Sequence, residues 1–392
     1  MKKILVLVVA VVTITLLGLS GLAPAKSPVM TKWGLPLNPY EGLGVKADGT
    51  PYLIAHAPFF LGVDFMINAE GIVESLIRRS GADYISFDPR MDAQKQIDYV
   101  EDLIAVKHPD AIIMMPVDEH MLAPVCEKAM AAGIDVYVWG FDLITDVGKG
   151  KVTTVCRDWE HGGSDLIGQY FVDYAKKSGE HLHMYELWGL RSQDLCQERH
   201  RGLHSVVDKC EMITVRESPD CQWSDEIAAN LVMDAFTAHP ELNALYCHGG
   251  GGTGAIEGLA AIGRLVPPGD PKHVLCAFND CDTRTVEVLD AGKIDAFGTH
   301  QAWDLCDAAV KLAFWHTVLG KPVPGHVDIP MKVITRDNID TVEGRVFGAP
   351  VYPRMPMGKW DEWPVLDTRK GVSPGMVGAK GESLGVDTPT RD

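Results

Sequence analysis

The feature that most constrains this chain is a regular alternation of short apolar runs with longer amphipathic segments, which begins at Tyr52. The apolar runs predict β-strands and the amphipathic segments predict helices. In the first half of the chain the predicted strands are 52–57, 84–87, 111–114 and 135–139, and the predicted helices are 63–80, 93–106 and 121–132. Strands that alternate with helices in this way form βαβ units, in which helices cover both faces of a parallel sheet.

A second series with the same pattern follows the first. Its predicted strands are 152–155, 182–187, 212–217, 244–247, 274–278 and 294–298, and its predicted helices are 163–177, 195–208, 225–239, 253–262, 284–291 and 304–319. Two successive series predict an α/β protein with two doubly wound parallel-sheet lobes rather than one long sheet. The Gly- and Pro-rich segments 26–50 and 341–392 are predicted to be N- and C-terminal extensions.

The N-terminus has the composition of a secretory signal peptide. Lys2 and Lys3 precede an apolar run over 4–17, and Ala23-Pro24-Ala25 closes the segment. We therefore expect cleavage after Ala25 and a mature protein in the periplasm. An uncleaved membrane anchor is the alternative, because the apolar run is close to the length that spans a bilayer.

The charge of the chain limits its partners. A formal net charge of −17 disfavours nucleic acid and anionic membranes, so we expect no nucleic-acid partner and no direct membrane insertion.

An oxidising compartment permits disulfides, and nine cysteines leave at least one unpaired within the chain. Cys196 opens a predicted helix and Cys221 follows the next predicted strand, so both should return to the same side of the sheet. We therefore predict a disulfide between Cys196 and Cys221.

Two motifs resemble a nucleotide-binding site and a metal site, and both are weak evidence for such sites. The segment 249–254 reads GGGGTG, which fits a nucleotide-binding pattern, but four consecutive glycines satisfy almost any glycine spacing. A tight turn is the simpler interpretation, although its amides could bind an anionic group such as an acidic sugar. His181 and His183 alternate on one strand face without an evident third ligand, so no metal site is expected. No catalytic constellation is recognisable, and we expect neither an enzyme nor a cofactor.

Four groups of residues carry a resemblance to a known family. They are 57–60 (APFF), 96–118 (QIDYVEDLIAVKHPDAIIMMPVD), 198–202 (ERHRG), and 274–279 with 290–293 (DAGK) and Gln301. In order and spacing they resemble the periplasmic ribose-binding protein family, the sugar-type solute-binding proteins of bacterial ABC importers. The resemblance covers roughly residues 52–336.

The resemblance implies the type I periplasmic binding protein fold, with two lobes joined by a three-stranded hinge. The crossings are expected near 155–157, 300–302 and 329–332. With residues 1–25 assigned to the signal peptide on their composition, the implied boundaries are 51–156 plus 302–330 for the N-terminal lobe, and 157–301 plus 331–340 for the C-terminal lobe. Ligands of such sheets bind beyond the carboxyl ends of the strands, and hinge closure buries the solute.

The resemblance also implies a set of ligand-binding residues. Aromatic side chains suit the apolar faces of a sugar ring, and the candidates are Phe59, Phe60, Trp139, Trp223 and Trp303. Each could instead belong to the core. The polar candidates are His56, Asp142, Arg157, Asp158, Gln197, His248, Gly249, Asn279, Asp280 and Gln301. Several depart from the family pattern: Ala57 stands where the family has Asn, and Asn279 where it has Asp. These departures argue against ribose itself and favour a polyol, a deoxy-sugar or a larger sugar.

The expected function is capture of a small sugar or polyol by a monomer that delivers it to an ABC importer permease. Two alternatives remain open at this point. One is a sensor that presents its solute to a membrane receptor, which the N- and C-terminal extensions suggest. The other is a sugar-active α/β enzyme.

Overall fold

The computed structural model describes residues 42–141, 143, 153–156, 163–280, 283–300, 302–328, 331–339 and 376–377. The predicted signal peptide, the crossing residue Arg157 and nearly all of the C-terminal extension lie outside these ranges. Among the described residues no helix combines the length and apolar character needed to cross a membrane.

The first sheet has six strands in the order β12-β5-β4-β3-β1-β2. They are β1 (Leu53–Ala57), β2 (Asp83–Ser86), β3 (Ala111–Met114), β4 (Asp135–Trp139), β5 (Thr153–Cys156) and β12 (His326–Asp328). All neighbouring pairs in this sheet are parallel. The strands β3 and β4 are apolar and almost entirely buried, as expected for a sheet covered on both faces.

Helices cover both faces of the first sheet. They are α1 (Asp64–Ser80), α2 (Ala93–Asp102), α3 (Ala123–Ala131) and α9 (Ala302–Ala313), and π-helical turns follow α2 at Leu103–Lys107 and α9 at Phe314–Val318. Helices α1 and α9 pack against each other on one face, where their apolar residues form a core with β1 and β4. The opposite face carries α2 and α3, with a second core around Ile112, Met114 and Val136.

The second sheet also has six strands, in the order β13-β10-β9-β8-β6-β7. They are β6 (Leu182–Leu187), β7 (Ile213–Glu217), β8 (Ala244–Cys247), β9 (Leu275–Asp280), β10 (Ala296–His300) and β13 (Val333–Thr335). The pair β10–β13 is antiparallel and the others are parallel. A short antiparallel pair outside both sheets joins β11 (Val323–Pro324) and β14 (Met376–Val377).

The helices of the second lobe are α4 (Ser164–Ser178), α5 (Asp194–Val207), α6 (Asp225–Ala238), α7 (Gly252–Ala261) and α8 (Thr283–Asp290). Helices α4 and α5 pack together on one face of the sheet, over a core that contains Phe171, Leu203 and Tyr246. Helices α6 and α7 pack together on the other face, with Phe236 and Phe278 in the core.

Strand membership shows where the chain changes lobes. It leaves the first sheet after β5, returns after β10 and passes over again between β12 and β13. The carboxyl ends of the parallel strands in each sheet carry the loops that lead into the following helices, so both sets of loops face the cleft between the lobes. The predicted α/β class with parallel sheets is confirmed.

Candidate ligand-binding cleft

Residues from both lobes line a small cavity at the carboxyl ends of the strands. The cavity has a volume of about 50 Å³. The first lobe contributes Phe59 and Phe60 after β1, Met115 after β3 and Phe141 after β4. The remaining lining residues are Val63, Phe65, Met66, Leu195, Arg199, Trp223, Gly250 and Asp280. The cavity is therefore mostly apolar, with one cation and one anion in its wall.

The first-lobe wall is a group of aromatic rings packed edge to face. The ring of Phe59 lies 5.0 Å from that of Phe60 at 80°, and 5.6 Å from that of Phe141 at 89°. Edge-to-face contacts of this kind hold each ring in one orientation. Phe59 is buried and Phe60 is only partly buried, so Phe60 presents the more accessible apolar surface to the cleft.

Trp223 forms the facing wall in the second lobe. Its Nε1 donates to Gln193 Oε1 at 2.8 Å, and its backbone has a φ of +58°. A Cβ atom at Gly189 would come within 2.5 Å of the ring, and a Cβ at Gly250 within 3.1 Å. The indole therefore lies directly against two backbone segments. A side chain at Gly189 would collide with the ring and one at Gly250 would crowd it, and this packing fixes the plane of the ring.

Arg199 and Asp280 form the polar part of the cavity wall. Arg199 Nη2 donates to Asp280 Oδ1 at 2.9 Å and Nη1 to Asp280 Oδ2 at 3.2 Å, a two-point contact. Arg199 Nη1 also donates to the backbone carbonyl of His248. The Arg199 side chain is 1% exposed and that of Asp280 is 19% exposed, so the carboxylate is the more accessible partner. Its charge compensates a buried guanidinium.

A second, more polar cavity of about 160 Å³ shares Val63, Phe65, Gly250 and Asp280 with the first. The remaining lining residues are Gly62, Asp225, Gly249, Gly251, Gly252, Thr253 and Thr285. The glycine-rich segment thus does reach the cleft. Asp225 and Asp280 both line this cavity; Arg199 compensates the charge of Asp280, so Asp225 is the carboxylate that disfavours an anionic group there.

His56 and Trp139 lie in the first-lobe core rather than along either cavity. Trp139 Nε1 donates to His56 Nε2 at 3.3 Å, and His56 Nδ1 donates to Glu70 Oε2 at 2.6 Å. Tyr84 Oη donates to the other oxygen of Glu70 at 2.6 Å. Burial opposes the charge of Glu70, but hydrogen bonds from His56 and Tyr84 bring the pKa of Glu70 below its usual value. This closed network satisfies both side chains without a ligand.

Three other polar candidates also have protein partners. Gln197 Nε2 donates to the carbonyl of Arg191 at 2.7 Å. Asn279 Oδ1 accepts from Ser164 Oγ at 2.9 Å in the interior of the second lobe. His248 is fully buried and bonds Glu186 through Nε2 at 2.8 Å, so it reaches the cleft only through its carbonyl.

Of the predicted ligand-binding residues, the structure brings together Phe59, Phe60, Trp223, Gly249 and Asp280. Four others, Asp142, Arg157, Asp158 and Gln301, lie outside the described residues, as does the side chain of Trp303.

The ligand set predicted from the sequence omitted Arg199, Met115 and Phe141. Two signals were available for them. Arg199 lies within the segment 198–202 that carries the family resemblance, Met115 directly follows the predicted strand 111–114, and Phe141 lies two residues after the predicted strand 135–139.

Cys196 and Cys221 are free thiols in the structure, which therefore does not contain the predicted disulfide. The two sulfurs engage different backbone groups. Cys196 Sγ accepts from Leu190 N at 3.2 Å, and Cys221 Sγ donates to Gly250 O at 3.5 Å. Burial raises the pKa of Cys196 to about 12 and that of Cys221 to about 11, which disfavours the reactive thiolate.

A two-lobed α/β protein with an aromatic cleft between parallel sheets defines a binding-protein architecture. The chain belongs to the periplasmic binding protein domain family, whose model matches residues 54–321.

Curated relatives agree with this assignment. The ribose import binding protein RbsB of Escherichia coli (strain K12) is 22% identical over 201 residues, which are 51% of this chain and 65% of the relative. The D-ribose/D-allose-binding protein of Pseudomonas aeruginosa is 29% identical over 177 residues, or 44% of this chain and 54% of the relative. The chain thus matches less than two thirds of the length of either. The predicted resemblance to the ribose-binding family is confirmed.

Solved structures show the same fold. An ABC transporter solute-binding protein from Mycobacterium smegmatis with bound glycerol has a TM-score of 0.65 at 22% identity, covering 73% of this chain and 95% of that one. One from Bacillus halodurans with bound myo-inositol has a TM-score of 0.65 at 20% identity, covering 75% and 98%. The predicted fold class is confirmed.

Proposed function

We propose that this protein binds a small sugar or polyol in the cleft, closes its lobes around it and delivers it to an ABC importer. The observation that carries the proposal is the pairing of aromatic walls from the two lobes, Phe60 and Trp223, beside the Arg199–Asp280 ion pair. A sugar has apolar ring faces and a rim of hydroxyls, so it needs both kinds of surface in one site. The names of the relatives and of the ligand-bound structures support the same ligand class.

Hydroxyl groups would find both acceptors and donors at this site. Asp280 is partly exposed and lines both cavities, and carboxylate oxygens accept hydrogen bonds from ligand hydroxyls. Arg199 Nε is buried and has no hydrogen-bond partner among the described residues, so a ligand oxygen could accept from it. We include Asp142, Asp158 and Gln301 as further polar contacts on the strength of the family resemblance.

The size of the cleft supports a mechanism of opening and closing. Ligand sites in proteins usually have volumes of about 300–1,000 Å³. The apolar cavity has about 50 Å³ and the polar one about 160 Å³. We infer that the lobes separate to admit a solute and close again by rotation at the three crossings.

In this proposal the protein is a periplasmic monomer that is exported by the signal peptide in residues 1–25, and it binds its solute without catalysing a reaction. Family membership supports a role in binding. The importer permease is proposed as partner in preference to a sensory receptor, because the curated relative RbsB is named for ribose import.

A thermal-shift screen of sugars, polyols and sugar acids tests the proposal. A ligand that binds only the folded state raises stability by about 2.7 kcal/mol at one hundred times Kd. We expect a neutral sugar or polyol to shift the melting temperature and sugar acids to do so less. If none of these solutes changes it, the proposed ligand class is wrong.

Trp223→Ala provides the matching test of the site. Loss of a large buried apolar surface should cost about 1.5–3 kcal/mol, or ~10- to 150-fold in affinity, measured by isothermal titration. Tyr174→Ala is the control, since Tyr174 is a partly buried aromatic residue near the end of α4, away from the cleft. Unchanged affinity in Trp223→Ala would place the ligand elsewhere.

A further inference from the structure

Three histidines surround one buried carboxylate in the second lobe. Glu186, near the end of β6, is fully buried. His200 and His204 lie on α5 above it, and His248 follows β8 beside it. We call these four residues the Glu186 cluster. Among the described residues, Glu186, His200 and His204 are the one group of three potential metal ligands whose donor atoms all lie within 4.8 Å of one another.

Local structure explains why these side chains converge. His200 and His204 are four residues apart, so they lie on the same face of α5. Glu186 alternates with Tyr185 along β6 and therefore points to the opposite face of the sheet, toward α5. The ring of Trp188 lies 4.7 Å from that of His200 and 4.6 Å from that of His248, which fixes both imidazoles.

The distances suit ligands of a single ion. His200 Nδ1 lies 3.1 Å from Glu186 Oε1 and 3.2 Å from Oε2, and His204 Nε2 lies 3.1 Å from Oε2. Two ligand atoms that are each about 2.0–2.1 Å from a tetrahedral zinc ion are about 3.3 Å apart. The observed separations are within a few tenths of an ångström of that value.

Outer hydrogen bonds orient the proposed ligands. His204 Nδ1 donates to Asp208 Oδ1 at 2.8 Å, which directs Nε2 toward Glu186. His248 Nε2 donates to Glu186 Oε1 at 2.8 Å and leaves Oε2 for an ion. Histidine ligands of metals usually donate their second ring nitrogen to a carboxylate in this manner, and ligating carboxylates are themselves hydrogen-bonded.

We propose that Glu186, His200 and His204 bind a divalent transition-metal ion of the zinc class, with Asp208 and His248 as orienting partners. Two imidazoles and a carboxylate are ligands that zinc accepts, with a fourth position left for water. The side chains of His200 and His204 are 25% and 20% exposed, so an ion can enter from the surface of α5. The site is separate from the sugar cleft and does not depend on the proposed function.

A protonated cluster is the competing explanation. Burial opposes the charge of Glu186, but hydrogen bonds from His200, His204 and His248 hold the pKa of Glu186 well below its usual range. The hydrogen bond to Glu186 raises the pKa of His204 to about 9. An imidazolium would then neutralise the carboxylate in place of a metal. The two explanations differ in whether the purified protein takes up an ion.

Metal titration of the full chain distinguishes them. After treatment with chelator and dialysis, we expect Zn²⁺ to bind at one equivalent per chain by isothermal titration and elemental analysis, and Co²⁺ to give the visible absorption of a tetrahedral site. His200→Gln and His204→Gln should each weaken binding at least ~100-fold, since even outer-sphere changes cost about 10–100-fold. His183→Gln is the control, because His183 lies on the same strand as Glu186, partly buried and outside the cluster.

Wild-type protein that takes up no stoichiometric Zn²⁺ would overturn the proposal. So would His200→Gln and His204→Gln variants that bind as the wild type does. Circular dichroism confirms that the variants are folded. If both histidine variants fail to fold, Asp208→Asn decides, because the Asp208 side chain is 62% exposed and its loss leaves the core intact. A tenfold loss of affinity in Asp208→Asn supports the site, and an unchanged affinity rejects it.

Discussion

A buried arginine must be compensated by a partner, and Asp280 compensates Arg199 in the wall of the cleft. Removal of one member of a buried ion pair leaves the other charge unpaired and costs about 3–5 kcal/mol. Asp280 is partly exposed, so we expect Asp280→Ala to lower the free energy of unfolding by about 3 kcal/mol, measured by urea denaturation.

The control for this prediction is Glu217→Ala. Glu217 pairs with Arg191 at 3.0 Å, and both side chains are at least one third exposed. Exposed pairs contribute about 0–1 kcal/mol. Equal losses in the two variants would mean that Arg199 is not compensated by Asp280 in solution.

His273 gives a prediction about pH. Its Nε2 lies 3.1 Å from Asp295 Oδ1 and its Nδ1 lies 2.6 Å from Val266 O. Burial disfavours the imidazolium, but the hydrogen bonds and the charge of Asp295 outweigh it, so the pKa of His273 is raised above 6.5. A raised pKa contributes stability that is fully present below pH 6.5 and is lost as pH rises through the folded-state pKa.

We therefore expect His273→Gln to destabilise the protein most at pH 5.5–6.5, and the difference from wild type to narrow at higher pH. Urea denaturation of both proteins at pH 5.5–6.5 and at higher pH measures this difference in the free energy of unfolding. His120→Gln is the control, because His120 is 65% exposed and 4.0 Å from Asp194. A difference that stays constant with pH would mean that His273 carries no extra proton in the folded state.

For individual candidate residues, the sequence predicted where each lies relative to a strand better than it predicted the direction in which its side chain points. Phe60, Trp223 and Asp280 reach the cleft because they follow or end strands whose carboxyl ends point there. His56 and Trp139 also lie at the carboxyl ends of their strands, but their side chains turn into the first-lobe core, where Trp139 Nε1 donates to His56 Nε2. The Glu186 cluster depends on contact between β6, α5 and the loop after β8, which no spacing in the sequence reveals.

At the scale of elements, one glutamine on α2 joins the loops that carry the first-lobe wall. Gln96 Nε2 donates to the carbonyls of Ala57, Pro58 and Met115 at 2.9–3.0 Å, and its Oε1 accepts from Val117 N at 2.8 Å. Gln96 is fully buried, and it links the end of β1, which leads into Phe59, to the end of β3, which leads into Met115.

Gln96→Leu keeps the volume and removes these hydrogen bonds. The carbonyls of Pro58 and Met115 and the amide of Val117 then lose this partner, whereas the carbonyl of Ala57 still accepts from Met115 N at 3.0 Å. Each unsatisfied group costs about 1–3 kcal/mol, so we expect a loss of at least about 2 kcal/mol in the free energy of unfolding and weaker solute binding. Gln94→Leu is the control on the same helix, since Gln94 is exposed and its Nε2 donates to Asp98 Oδ1 at 2.8 Å. Equal stability of the two variants would show that Gln96 does not fix these loops.

The order of strands and helices was predictable because apolar runs and amphipathic periods are local properties. Predicted strands 111–114, 135–139, 182–187 and 244–247 match the observed ones, and helix ends agree within a few residues. Two features were not predictable from such patterns. The strands β12 and β13 are three residues long and owe their pairing to neighbours distant in sequence. The π-helical turns after α2 and α9 have i→i+5 hydrogen bonds, and a single short turn of this kind has no distinct pattern of apolar and polar residues.

At the scale of the whole molecule, the cleft in this structure is nearly closed by its own aromatic residues. Phe59, Phe141, Trp188 and Trp223 belong to one apolar cluster that extends across both lobes, with Phe60 and Leu195 packed against it. Separation of the lobes exposes this surface to water, which opposes opening by about 25 cal/mol per Å². A ligand must replace these contacts with its own.

This balance predicts how the shape of the protein responds to solute and to mutation. Small-angle scattering measures the radius of gyration of the wild type, first without ligand and then saturated with the solute that thermal shift identifies. We expect the saturated protein to have the smaller radius, because binding shifts the population to the closed state. Trp223→Ala removes part of the apolar contact between the lobes, so its ligand-free form should be more expanded than the wild type. Tyr174→Ala should scatter as the wild type does in both conditions. A radius that does not change when the wild type is saturated, or a ligand-free Trp223→Ala variant as compact as the wild type, would mean that contact between the aromatic walls does not control closure.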